Sequence, residues 1–243
     1  LSNTQNKEIE RYIYREINGE LTAELNPEWK EKIQREKFNY FLGLSGIPND
    51  YWDLDFNSFP WDKSKPQVEN CIKYANECKA EKFHDVSLYL YGGNSSGKTT
   101  VACSIAKEFI RKGLHVRFTL AGSLAEVLLK QSGYGSEDES KAKIAEYRNC
   151  DLLVIDDCFD VTKSIMWRRE ESKNLIISAW DAFFRDILSR QVRVIVTSNI
   201  LPLEVHNIYG KSMFELIDRN FVLLKFEDSV KYVKKDKFKN LFE

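Results

Sequence analysis

The stretch Val86-Ser87-Leu88-Tyr89-Leu90-Tyr91 runs into Gly92-Gly93-Asn94-Ser95-Ser96-Gly97-Lys98-Thr99, and a helix-forming segment, Lys98–Lys112, follows. An apolar strand, a glycine-rich loop and a helix in that order set the fold. The loop matches G-x-x-x-x-G-K-[ST] at every position. Glycines let backbone N–H groups turn inward around phosphates, and the helix N-terminus adds its positive end. Gly92, Gly93, Asn94, Ser95, Ser96, Gly97, Lys98, Thr99 and Thr100 are therefore the candidate ATP-binding residues. Lys98 is expected to reach the β- and γ-phosphates, and Thr99 to bind Mg²⁺ through its hydroxyl.

ATP hydrolysis also needs acids at the end of a second buried strand. Leu152-Leu153-Val154-Ile155-Asp156-Asp157 supplies them. Asp156 is placed to hold Mg²⁺, and Asp157 to polarise the attacking water as general base. A third strand, Val192–Thr197, leads to Ser198-Asn199. Asn199 would then face the γ-phosphate and orient the water.

Further out, strands and helices alternate. His115–Leu120 reads as a strand, Ser123–Lys130 as a helix, Gly133–Glu139 as a loop and Lys141–Arg148 as a short helix. Glu170–Arg190 reads as a long helix, Ser212–Arg219 as another, and Val222–Phe226 as a last strand. This alternation predicts an α/β fold: a parallel sheet covered by helices on both faces. Before the loop, Gln67 to Lys79 reads as a helix. Nearer the N-terminus, Ile9, Tyr12, Ile13 and Ile17 recur at helical spacing up to Asn18-Gly19. Asn26-Pro27 opens a second helix through Trp29, Ile33 and Phe38. Residues 1–60 are thus expected to form a small helical extension, and 61–243 the nucleotide-binding domain.

Bulk composition narrows the class. Apolar residues make up 43% of the 243, enough for a core, and charged residues 30%, as in a soluble protein. No apolar run approaches the roughly 18 residues of a membrane span. The five cysteines form no CxxC pair and suit reduced thiols in the cytoplasm. The net charge of −1 restricts any nucleic-acid site to a local patch.

The ordered set GxxxxGKT, LLVIDD, VIVTSN and a late helix with an arginine resembles the AAA+ ATPases of the replicative helicase-loader group, which includes DnaC- and DnaI-like proteins. The IstB-like transposition helper ATPases share that core. Gly46-Ile47-Pro48, Tyr51 and Phe56 are similar to the segment that precedes the loop in that group. The resemblance spans roughly residues 45–228. It implies an AAA+ core without a C-terminal lid and self-association through the ATP sites. It also implies docking of a hexameric replicative helicase on the N-terminal segment, and delivery of that helicase to single-stranded DNA. Arg219 matches the late arginine that reaches a neighbour's γ-phosphate. Relatives often carry a second arginine where Glu215 stands, and Asp-Glu where this chain has Asp156-Asp157.

In that group the segment after the second strand touches single-stranded DNA. Here it offers Lys130, Tyr134, Lys141 and Lys143, beside Glu137, Asp138 and Glu139. Trp167-Arg168-Arg169 is a second candidate, and the basic tail Lys231, Lys234, Lys235, Lys237 and Lys239 a third. Two other readings stand beside the loader: an IstB-like transposition helper, and a small-molecule kinase, which also uses a phosphate loop.

Overall fold

The computed structural model describes residues 10–17, 20–58, 64–131, 137–159 and 170–227. In chain order these form β1 (Tyr12–Ile17), β2 (Glu20–Leu25), α1 (Pro27–Ser45), α2 (Lys65–Asn76), β3 (Ser87–Gly92) and α3 (Lys98–Arg111). Then come β4 (Val116–Leu120), α4 (Ala121–Gln131), α5 (Glu137–Arg148), β5 (Leu152–Asp156) and α6 (Glu170–Ser189). The last are β6 (Arg193–Ser198), α7 (Pro202–Tyr209), α8 (Lys211–Asn220) and β7 (Phe221–Phe226).

Strands β3 to β7 form one sheet in the order β4-β5-β6-β3-β7, with every pairing parallel. Parallel strands need crossovers, and the intervening helices supply them. Successive side chains of a strand point to opposite faces. Leu152 and Val154 of β5 and Ile195 of β6 therefore meet one apolar layer, built with α1, α2 and α3. Leu153, Ile155, Val194 and Val196 meet the other, built with α4 to α8. Both faces being covered explains why β5 is apolar until its final Asp156. Within the first layer α1 contributes Leu42, followed by Ile47 just past its end. Arg193, the charged residue of β6, is buried: its guanidinium donates to Asp151 O at 3.1 Å and Cys78 O at 2.6 Å and lies over the Phe109 ring at 4.5 Å.

Three local expectations are corrected. The segment from Tyr12 to Ile17 is not a helix but one strand of an antiparallel hairpin, pairing Tyr12 with Leu25 and Ile17 with Glu20. The informative signal was the Asn18-Gly19 dipeptide, which favours a two-residue hairpin connection and outweighs a few helical-period coincidences. Ile9 lies outside the described residues. Second, α5 begins at Glu137 rather than Lys141. Asp138 and Glu139 stand in its first turn, where negative charge complements the helix dipole. Third, α7 had no counterpart among the helices expected from the sequence. Pro202 at its first position and Glu204, whose carboxylate accepts from Leu201 N–H at 2.9 Å, start it. The expectation about a lid concerns sequence beyond Glu227, which lies outside the described residues. No helix among the described residues is long and apolar enough to cross a membrane. All five cysteines are buried and free.

Candidate nucleotide site

Parallel strands deliver the candidate residues to one end of the sheet, since the loop, both acids and Asn199 all lie at the C-terminal ends of β3, β5 and β6. Central position matters: β6 lies between β5 and β3, so Asn199, just past its end, sits between the acids and the loop. The loop leaves β3 at Gly92 (φ 148°), turns through Ser95 (φ 60°) and Gly97 (φ 88°), and enters α3 at Lys98. Left-handed residues of this kind curl a loop into an anion-binding concavity.

Lys98 is buried, and its ammonium donates to Gly92 O at 3.0 Å, Gly93 O at 2.7 Å, Ser96 Oγ at 3.2 Å and Asn199 Oδ1 at 3.0 Å. Asn199, 101 positions away, is thus joined to the loop lysine. Thr99 Oγ1 donates to Asp156 Oδ1 at 2.8 Å. The same carboxylate oxygen accepts from Thr197 Oγ1, whose oxygen in turn accepts the Asp157 N–H at 3.0 Å. One threonine therefore ties both acids to β6. Ser198 continues this stitching, with its hydroxyl donating to Cys158 O at 2.6 Å. Burial pushes the Asp156 carboxyl above its ordinary range, against the hydrogen bonds from Thr197 and Thr99. Asp157 holds a left-handed φ of 55°, which a non-glycine residue rarely adopts. Its side chain lines the cavity.

That cavity has a volume of about 380 Å³. Residues Asn94 to Thr100, Asp157 and Asn199 line one side, and Asp50, Tyr51, Leu54 and Ser58 line another. The second wall was not assigned a role from sequence, although Gly46-Ile47-Pro48 and Tyr51 marked the segment. Thr197 and a buried lysine on α3, Lys107, were also missed. A hydroxyl and a carboxylate oxygen, Thr99 and Asp156, form a hard donor pair that fits Mg²⁺, which keeps water and phosphate oxygens as its remaining ligands.

Arg219 is not part of this cluster. It ends α8, three-quarters exposed, with its guanidinium 3.9 Å from Glu215. Beside it lie Asp85, Val86 and Val192, at the N-terminal ends of the strands. The rise of a six-residue strand puts it roughly 17 Å from the end that carries its own loop. Of the DNA candidates, Lys130 is exposed at the end of α4, and Lys143 pairs with Glu146 at 3.2 Å. Lys141 lies on α5 among exposed residues. Tyr134, Trp167, Arg168, Arg169 and the five tail lysines lie outside the described residues.

Replacing Thr197 by valine keeps the shape and removes the shared hydroxyl. Asp156 then loses a donor and the Asp157 N–H its acceptor, at a cost of about 1–3 kcal/mol. Denaturant unfolding should show that loss, together with slower ATP turnover.

Sheet order, phosphate loop and strand-end acids define an AAA+ ATP-binding protein. The family model of the IstB-like ATP binding protein matches residues 83–204, half of the chain, and the chain belongs to that family. Solved structures agree on the fold. The DnaC helicase loader superposes with a TM-score of 0.58 at 17% identity, covering 74% of this chain and 99% of that one. DnaI gives 0.57 at 15%, covering 74% and 95%. AMPPCP-bound DnaA from Aquifex aeolicus gives 0.57 at 17%, covering 81% of this chain and 57% of that one. The chain thus spans little more than half the length of that DnaA. A comparison with curated protein sequences returned no match.

Proposed function

We propose that this protein is an ATPase that binds a hexameric replicative helicase and helps place it on single-stranded DNA. The observation that carries the proposal is the hairpin ahead of the ATP core. Its register puts Tyr12 opposite Leu25, Tyr14 opposite Ala23 and Glu16 opposite Leu21 on one face. Tyr14 is 62% exposed and Leu21 74%. A two-stranded hairpin is marginal alone, and an exposed aromatic and aliphatic face suits a protein partner. Within residues 1–60 the hairpin is accordingly taken as the docking element, while Leu42 to Ser58 pack on the core and wall the ATP cavity.

Hydrolysis is assigned to the cluster of loop, strand-end acids and Asn199. Thr99 and Asp156 would hold Mg²⁺, which when bound neutralises charge on the β- and γ-phosphates. Lys98 shares that task and Asn199 aligns it. Asp157 accepts a proton as water oxygen bonds to the γ-phosphorus and the bond to the β–γ bridging oxygen breaks. Arg219 serves the site of a second copy, so self-association completes the ATPase. Lys130, Lys141 and Lys143 are the proposed DNA contacts. Exposed Asp138, Glu139 and Glu146 share α5 with Lys141 and Lys143 and reduce the local positive charge, and three phosphate contacts should give a slope of log K against log salt of about −2.

Family membership favours a second reading, an IstB-like transposition helper, over a small-molecule kinase. Pull-downs with ATP separate the two. Co-purification with the helicase supports loading; capture of a transposase and not the helicase replaces it. The shared-site element is tested by mixing. Lys98→Ala should lose turnover altogether, and Arg219→Ala should lose it by about a thousandfold or more, as loss of a transition-state charge predicts. Mixed together they should recover activity, because loop and arginine then meet across the contact. No recovery would remove Arg219 from this role.

A further inference from the structure

The cavity's second wall is held by a lysine that belongs to the phosphate-loop helix. Lys107 lies on α3 and is 2% exposed. Its ammonium donates to Tyr51 O at 2.7 Å, Trp52 O at 3.0 Å and Leu54 O. A lysine carries three N–H donors, and three carbonyls of one short turn meet them. Burying an ammonium is costly, and here burial holds the lysine below its ordinary pKa, while Asp55 and Asp53 act in the opposite direction. An apolar side chain would fill this volume without that cost. What it would not do is collect three backbone oxygens and so fix the conformation of the turn.

The turn concerned is the one that faces the nucleotide. A single 3-10 turn, Asn49–Tyr51, opens it, with Tyr51 N–H bonded to Pro48 O at 2.9 Å. Asp50, Tyr51, Leu54 and Ser58 project into the cavity. The Tyr51 hydroxyl faces Thr99 and Asp156, and burial holds it above its ordinary pKa. One helix therefore grips the cavity at two points: its first turn carries Lys98 and Thr99, and its third turn holds the facing wall about 13 Å further along.

We propose that Lys107 is a positioning residue for nucleotide binding: it sets the wall formed by residues 50–58 against the phosphate loop. The proposal rests on the ATP-binding reading of the cavity. It distinguishes Lys107 from a staple that merely ties the N-terminal segment to the core, because a staple leaves nucleotide affinity alone once the protein has folded.

The test compares wild type with Lys107→Met, which keeps the apolar stem, and Lys107→Arg, which keeps the charge. Steady-state ATPase kinetics and hydrogen exchange of the 47–58 peptide are measured with and without ATP. For Lys107→Met the KM for ATP should rise about tenfold and kcat fall by no more than about threefold, the pattern of lost ground-state binding. Exchange should quicken in 47–58 while the sheet keeps its protection, and Lys107→Arg should recover part of the affinity. A KM within twofold of wild type, or faster exchange throughout the sheet, overturns the proposal. If Lys107→Met does not fold, wild type still decides: ATP must slow exchange in 47–58, and its failure to do so overturns the assignment. Wild type that binds no ATP at all sinks the reading beneath it, a result seen before any variant is made.

Discussion

Lys98→Ala will bind ATP at least about a hundredfold more weakly than wild type and will show no measurable turnover. The magnitude comes from the contacts of the ammonium. It is a buried cation at the mouth of a loop of backbone donors, held by Gly92, Gly93, Ser96 and Asn199. Hydrogen bonds to charged groups contribute about 1.5–3 kcal/mol each, and more where water is excluded. Losing two phosphate contacts removes about 3 kcal/mol or more, which is a factor of about a hundred or more in affinity. The variant should fold, because alanine suits the first turn of a helix. Equilibrium binding of a fluorescent ATP analogue, with circular dichroism as the folding control, checks both statements. Retained affinity within about fivefold would show that Lys98 does not meet the phosphates.

Gly92→Ala is expected to have the largest effect on stability. Gly92 pairs with Phe226 across β3 and β7 and has φ 148°, a conformation that L side chains rarely adopt. A Cβ there would press far inside van der Waals distance of the Phe226 carbonyl oxygen and lie 3.0 Å from its carbonyl carbon. Both are backbone atoms of a paired strand, so no side-chain rotation relieves the clash. Backbone strain and overpacking of this kind cost about 1–3 kcal/mol each. The sum, about 4 kcal/mol, corresponds to a fall in Tm of roughly 8–16 °C for a chain of this size. Gly122→Ala provides the contrast. It lies in α4 with nothing within 4 Å of its added Cβ, and alanine there should be neutral or stabilise by about 0.5–1 kcal/mol. Equal melting points for the two variants would contradict the close approach of β7.

Most of the sheet was legible because its signals are local. An apolar run followed by a motif, or by two acids, needs no knowledge of what lies elsewhere in the chain. The same locality placed Lys98, Thr99, Asp156 and Asn199 at strand ends, where the structure brings them together. The hairpin was misread because six residues are too few to separate a period of 2 from one of 3.6. What favours the strand is pairing across Asn18-Gly19. Lys107 was invisible for a related reason: its three acceptors lie 53 to 56 positions earlier, and nothing in Ala106-Lys107-Glu108 points to them. Thr197 stood beside the chosen Asn199 and was passed over, because its use depends on β5 lying next to β6.

The place of Arg219 has a consequence for assembly. The loop occupies one end of the sheet and the arginine the other, so under the proposed trans role a contact between molecules that point the same way runs head to tail. A head-to-tail contact leaves one loop and one arginine open at each step, so it either closes into a ring or continues as a row. An open row has polarity: if Arg219 acts in trans as proposed, every molecule but the terminal one would have its cavity completed by a neighbour. Specific activity measured against protein concentration would therefore rise as molecules add and would level off only when terminal copies become rare. A single added variant with a blocked arginine end would cap growth in one direction and not in the other.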